Sequence, residues 1–115
     1  MTPEKIIQNK ILNYLHLLKE EGLPLFYERR QAGGFSYKMG IPDVYAVYNG
    51  KHIEIEVKAP GKQLRPMQIK FKEMCKRIKI KYICVDNIDD FKDFFNNVVR
   101  IDDAEDELNS LKDIY

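Results

Sequence analysis

Two carboxylates and an ammonium group, on Asp43, Glu56 and Lys58, fall in a pattern that brings them together. The dipeptide Asn49-Gly50 separates two runs rich in β-branched and aromatic residues, Asp43–Tyr48 (DVYAVY) and Ile53–Val57. Asn-Gly favours a two-residue hairpin turn, because both central positions of that turn need positive φ. The turn pairs Tyr48 with Lys51, and counting back along both strands sets Asp43 opposite Glu56. Directly opposed side chains share a face, with Cβ atoms roughly 4.5–5.5 Å apart. Two carboxylates so placed repel unless a shared proton, a basic neighbour or a metal ion offsets the charge.

The second run continues as HIEIEVK, and its alternation decides which groups meet. Ile53, Ile55 and Val57 form an apolar face, while His52, Glu54, Glu56 and Lys58 share the other. Lys58 then projects beside Glu56, on the side of Asp43. Such a cluster suits a hard divalent cation held by oxygens, with an ammonium group next to it. It could activate water and neutralise charge building on a phosphate. Spacing alone also admits a plainer account, in which alternating charges are the solvated face of a half-buried sheet. His52 and Glu54 are assigned to that solvated face.

Several elements must position these groups. Thr2 and Pro3 read as an N-cap followed by proline at the first helical position. Ile7, Ile11, Tyr14, Leu15 and Leu18 recur at helical spacing, and Gly22 ends the helix. Leu25–Arg29 is a short strand, and Arg30–Gly40, with Gly33, Gly34 and Gly40, reads as an irregular, mobile loop. After the hairpin, Ala59–Pro66 is turn-rich. A helix follows from about Pro66, with Met67, Phe71, Met74, Cys75 and Ile78 as its buried stripe. Tyr82–Val85 is an apolar strand, and Ile88, Phe91, Phe94 and Phe95 mark a short amphipathic helix. The order α-β-β-β-α-β-α predicts an α/β or α+β sheet flanked by helices. Residues 1–100 form one domain, and 101–115 an acidic C-terminal segment that is a frayed helix or tail.

The 115 residues carry 19 Lys+Arg against 18 Asp+Glu, a net charge of +1 that conceals two opposed regions. Residues 1–85 hold 16 basic and 8 acidic residues, and residues 86–115 hold 3 and 10. A hydrophobic fraction of 44% excludes disordered, collagen-like and disulfide-scaffold classes. From Lys58 to Lys81 the basic residues are opposed by Glu73 alone, and Lys62, Arg65 and Lys70 follow first after the proposed site. Phosphate-backbone contact is the economical reading of that run. Arg29, Arg30 and Lys38 form a second basic group around the glycine-containing loop. Phe35 and Tyr37 in that loop are suited to stack on an unpaired base or wedge a branch point. Cys75 and Cys84 show no metal-ligand or CxxC spacing and read as small thiols of a reducing compartment. No signal-peptide core and no apolar run near the roughly 18 residues of a membrane span is present, so a soluble, cytoplasmic protein is expected.

Gly40-Ile41-Pro42-Asp43, then twelve residues, then Glu56-Val57-Lys58 resembles the PD-(D/E)XK nuclease core. More narrowly, GIPD followed by IEIEVKAPGKQLRPMQ resembles the virus-type replication-repair nuclease (VRR-NUC) family, from about Glu4 to Phe95. The resemblance implies an α/β, restriction-endonuclease-like core with a mixed β-sheet flanked by helices. It implies that Asp43, Glu56 and the Val57 carbonyl bind Mg²⁺ or Mn²⁺, and that Lys58 assists the attacking water. Gln68, opening the helix after the core, and Glu4, on the first helix, complete the catalytic set it implies. The expected activity is that of a metal-dependent, structure-selective endonuclease acting on branched, Holliday-junction-like DNA. A homodimer, and a phage or bacterial setting in replication, recombination or repair, go with it.

No zinc finger or helix-turn-helix is present, so DNA would be bound by backbone charge and shape. Two alternatives stand beside this reading: a restriction-type, sequence-specific nuclease, and a non-catalytic DNA-binding or assembly module on a nuclease-like fold. The acidic segment is expected to lie away from the DNA, where it would repel phosphates least. Occlusion of the basic groove and contact with a partner subunit are its other possible roles.

Overall fold

In the computed structural model, which describes residues 1–31 and 34–114, the chain runs α1 (Pro3–Glu20), β1 (Leu25–Arg29), α2 (Gly34–Lys38), β2 (Val44–Tyr48), β3 (Lys51–Val57), α3 (Pro66–Arg77), β4 (Lys81–Val85) and α4 (Ile88–Ile114). The strands form one sheet in the order β1-β2-β3-β4. The first two pairings are antiparallel, and β3 with β4 is parallel, reached through α3 as the crossover. The result is a mixed sheet flanked by helices, the α/β architecture expected.

The hairpin forms in the predicted register, with Tyr48 paired to Lys51 and Val44 to Ile55. Asn49 and Gly50 adopt φ of 46° and 82°, as a type I′ turn requires. Thr2 caps α1 by accepting from the Lys5 N–H at 3.2 Å, with proline next to it. Ile11 and Leu15 from α1 and Phe91, Phe95 and Val98 from α4 pack on Val44, Ala46, Tyr48, Ile53, Ile55 and Val57. That is one face of the sheet.

The opposite face is covered by α3 beside β3 and β4, through the buried Cys75 and the Phe71–Tyr82 ring contact at 6.4 Å. All five residues Ile53–Val57 are therefore buried, so β3 is a central strand closed on both sides. This overturns the solvated-face assignment for Glu54, which is 3% exposed.

Three further expectations change. The Arg30–Gly40 segment contains a single helical turn, α2; Gly33 lies outside the described residues. Ile78 is exposed, because it stands at the C-cap of α3 and not on its buried stripe. The last helix does not end near Phe95 but continues to Ile114, so the boundary drawn at residue 101 falls inside α4. Asp102 anchors that continuation, accepting from Asn49 at 2.6 Å and pairing with Lys51 at 2.8 Å. Cys75 is buried and Cys84 exposed, and both thiols are free. Among the described residues no helix is long and apolar enough to cross a membrane.

Candidate active site

At the open end of the β2–β3 hairpin, the first turns of α1 and the N-terminus of α3 close over the sheet. They leave a cleft of about 360 Å³ whose wall includes Glu4, Gln8, Asp43, Glu56, Lys58 and Gln68. Val57 also lines it. Its side chain belongs to the core, so its main chain is what it presents to the cleft. Four separate elements thus bring together the whole set of candidate catalytic and metal-binding residues.

Glu56 is the most constrained of them. It is 7% exposed, accepts from Gln68 Nε2 at 3.0 Å and lies 4.0 Å from Lys58 Nζ. Its carboxyl is pushed up to about 7, chiefly by burial, with Lys58 opposing, Asp43 and Glu4 adding to the rise, and Arg65 opposing it. Gln68 can donate to Glu56 because its own carbonyl is held: Oε1 accepts the Arg65 N–H at 2.8 Å, back across the first turn of α3. Lys58 is steadied by its backbone N–H, which donates to the Val85 carbonyl at 2.9 Å. Glu4 reaches the connection after β3, where its carboxylate accepts from the Ala59 N–H at 3.4 Å.

Asp43 is exposed to the cleft, immediately before the first residue of β2. Gly40 sets the turn that delivers it. Its φ is +71°, and a Cβ there would overlap the Met67 carbonyl and the Gln68 nitrogen. A side chain at residue 40 would therefore push the N-terminus of α3 off the turn.

The basic candidates divide. Arg65 lines the cleft, its guanidinium 4.0 Å over the Tyr37 ring and donating to the Tyr37 carbonyl at 3.3 Å. Tyr37, expected to stack on a base, is thus stacked on Arg65. Arg29, Lys38, Lys62 and Lys70 are exposed and lie outside the cleft wall. Arg30 is turned inward. It makes a two-pronged pair with Glu54 at 2.7 and 2.8 Å and donates to the Pro42 carbonyl at 2.7 Å. Half-buried and committed to Glu54 and the Pro42 carbonyl, with its pKa raised by the hydrogen bond to Glu54, Arg30 is a structural cation and not a free phosphate ligand.

Sequence reasoning missed Gln8 and Lys5, which also line the cleft. Gln8 stands one helical turn after Glu4, and that i, i+4 spacing was the available signal. Its side-chain carbonyl is buried with no hydrogen-bond partner among the described residues.

Among the described residues no three acidic, His or Cys side chains form a ready-made metal cage. Mg²⁺ does not need one, since it is held by one or two carboxylates and keeps several waters. Asp43, Glu56, the Val57 main chain and the orphaned Gln8 carbonyl, an acceptor for a hydrated ion's water, fit that pattern.

The site thus sits on a mixed α/β sheet, with Asp43 beside the start of β2, Glu56 on the adjoining β3 and Lys58 two residues further on. No family model matches the chain, and no curated protein matches it. Among solved structures it is similar to a "VRR_NUC domain", at 18% identity and a TM-score of 0.66, over 84% of this chain and 97% of that one. The chain has a VRR-NUC fold.

Proposed function

We propose that the protein is a Mg²⁺- or Mn²⁺-dependent endonuclease that hydrolyses phosphodiester bonds in branched DNA. The observation that carries this reading is the convergence of Glu4, Asp43, Glu56, Lys58 and Gln68 on one cleft from four elements. Asp43, Glu56 and the Val57 carbonyl would hold the divalent cation. When bound, such an ion supplies Lewis acidity toward a phosphoryl oxygen and lowers the pKa of water.

The chain's own residues do the rest. Gln68, by donating to Glu56 Oε1, fixes the orientation of the carboxylate. Lys58 holds a positive charge 4.0 Å from that carboxylate, where it stabilises an incipient hydroxide or a developing phosphorane oxygen. Glu4 and Gln8 offer acceptors to water on the α1 side. Arg65, braced on Tyr37, binds a neighbouring phosphate at the rim. Lys62, Lys70, Arg29 and Lys38 extend backbone contact outward from the cleft. A homodimer would place two such clefts on the two-fold geometry of a four-way junction.

The test is cleavage of labelled four-way junction, flap and linear duplex with Mg²⁺, Mn²⁺ or EDTA. Junction or flap cutting with either metal is expected, with none in EDTA and at least about a hundredfold loss in Lys58→Ala. Failure to cut any of them, or a fully active Lys58→Ala, overturns the reading. Salt-dependent binding without turnover would leave a non-catalytic module, and discrete fragments from plain duplex a restriction-type nuclease.

A further inference from the structure

Asp43 poses a problem of position. The β2–β3 ladder stops at Val44 with Ile55, so the sheet does not itself hold Asp43 at a set distance from Glu56. What holds it is Arg30. The Arg30 backbone N–H donates to the Asp43 carbonyl at 2.6 Å, carrying the β1–β2 register one step further. Its guanidinium Nη1 donates to the Pro42 carbonyl at 2.7 Å. The peptide units on both sides of the Asp43 Cα are thereby tied to one residue.

Arg30 is in turn tied to β3. Its two terminal nitrogens donate to the two oxygens of Glu54, which is 3% exposed and shares a strand face with Glu56 two residues on. The Tyr45 ring supports the guanidinium from below at 4.5 Å, and His52, stacked on Tyr45, also contacts the Glu54 carboxylate. A planar fork matched to a carboxylate defines direction as well as distance, which a lysine would not do.

We propose that the half-buried Arg30 and the buried Glu54 are a positioning pair that sets the spacing of Asp43 and Glu56, and with it the site's affinity for a divalent cation. The proposal rests on the reading of Asp43 and Glu56 as cation ligands. Groups that orient a ligand from behind typically change metal affinity about ten- to hundredfold when removed.

The experiment uses the full chain. Mn²⁺ affinity is measured by calorimetry and four-way-junction binding in EDTA, for the parent, Asp43→Asn, Glu54→Gln and the double variant Arg30→Met/Glu54→Gln. The double variant removes both charges, so no unpaired charge is left buried. A parent that binds no Mn²⁺, or an Asp43→Asn that binds it equally well, sinks the underlying site reading and not merely the positioning pair. With that control passed, the double variant is expected to bind Mn²⁺ about ten- to hundredfold more weakly. Its cleavage should recover as Mn²⁺ is raised, and its metal-free junction binding should match the parent. Mn²⁺ affinity within about twofold of the parent overturns the proposal. So does a loss of metal-free junction binding with Mn²⁺ affinity kept, because Arg30 would then be a DNA contact. If the double variant loses its circular-dichroism signal, Glu54→Gln reads the same effect: weaker Mn²⁺ binding supports the pair, and unchanged binding overturns it.

Discussion

Glu56 is a carboxyl group asked to be charged in a buried place. In the metal-free protein its pKa is near 7 against an ordinary 4.5, raised first by burial and then by Asp43 and Glu4. The folded state therefore holds a proton between those values that the unfolded chain releases. Stability contributed by Glu56 is present at low pH and is lost as pH rises from about 4.5 to about 7, by about 3 kcal/mol in all. Urea unfolding in EDTA should show this decline, and Glu56→Gln should flatten it. Added Mn²⁺, which favours the carboxylate, should stabilise the parent more at pH 8 than at pH 5. Gln68 is the second sensitive residue, because it serves Glu56 with one end and the Arg65 N–H with the other. Gln68→Ala leaves both unsatisfied and should cost about 1–3 kcal/mol, read from the urea midpoint.

The turn before β2 and the first turn of α3 are one mechanical unit. Gly40 combines a left-handed φ of +71° with direct backbone apposition to Met67 and Gln68. Gly40→Ala should therefore cost at least about 2 kcal/mol. Displacing α3 separates Gln68 from Glu56, so cleavage by the folded fraction should also fall. Gly50, with nothing near its missing Cβ, supplies the control: Gly50→Ala strains only the turn. α3 has a double role here, with its buried face carrying Gln68 and Cys75 and its exposed face carrying Lys70, Lys72 and Lys76.

Charge is distributed along the whole molecule with a consistent geometry. The acidic part of α4 docks at the hairpin turn, where Lys51 pairs with Asp102 at 2.8 Å and with Glu105 at 3.1 Å. The turn and the cleft lie at opposite ends of β2, five residues or about 17 Å apart. Truncation after Arg100 should accordingly leave junction affinity unchanged while removing both partners of Lys51. Markedly tighter binding would show that the acidic segment occludes the groove, and loss of a dimer that it forms the subunit contact. Binding in EDTA should weaken with salt. Removing Arg65, Lys62 or Lys70 should each lower the slope of log K against log salt by about 0.9, whereas Arg30→Met should not.

How much of this was legible beforehand depended on range along the chain. The hairpin register was, because Asn49-Gly50 prescribes a turn and the HIEIEVK alternation prescribes a face; together they place Asp43, Glu56 and Lys58 within fifteen or so residues of chain. Helix starts at Thr2-Pro3 and Pro66 were legible for the same local reason. Glu54 and Arg30 were not. A charged residue in an alternating strand looks solvated until the covering helix is known, and an arginine beside a glycine-containing loop looks free until its partner 24 residues away is in place. Nor did α4 show its length, since its acidic half is anchored by Asn49 and Lys51, more than fifty residues earlier. Local patterning was sufficient to specify the acidic pair and its lysine. Which charges are buried, which are tied together and which are left for a substrate followed from closing the helices over both faces of β3, because burial and pairing are properties of contacts between distant segments.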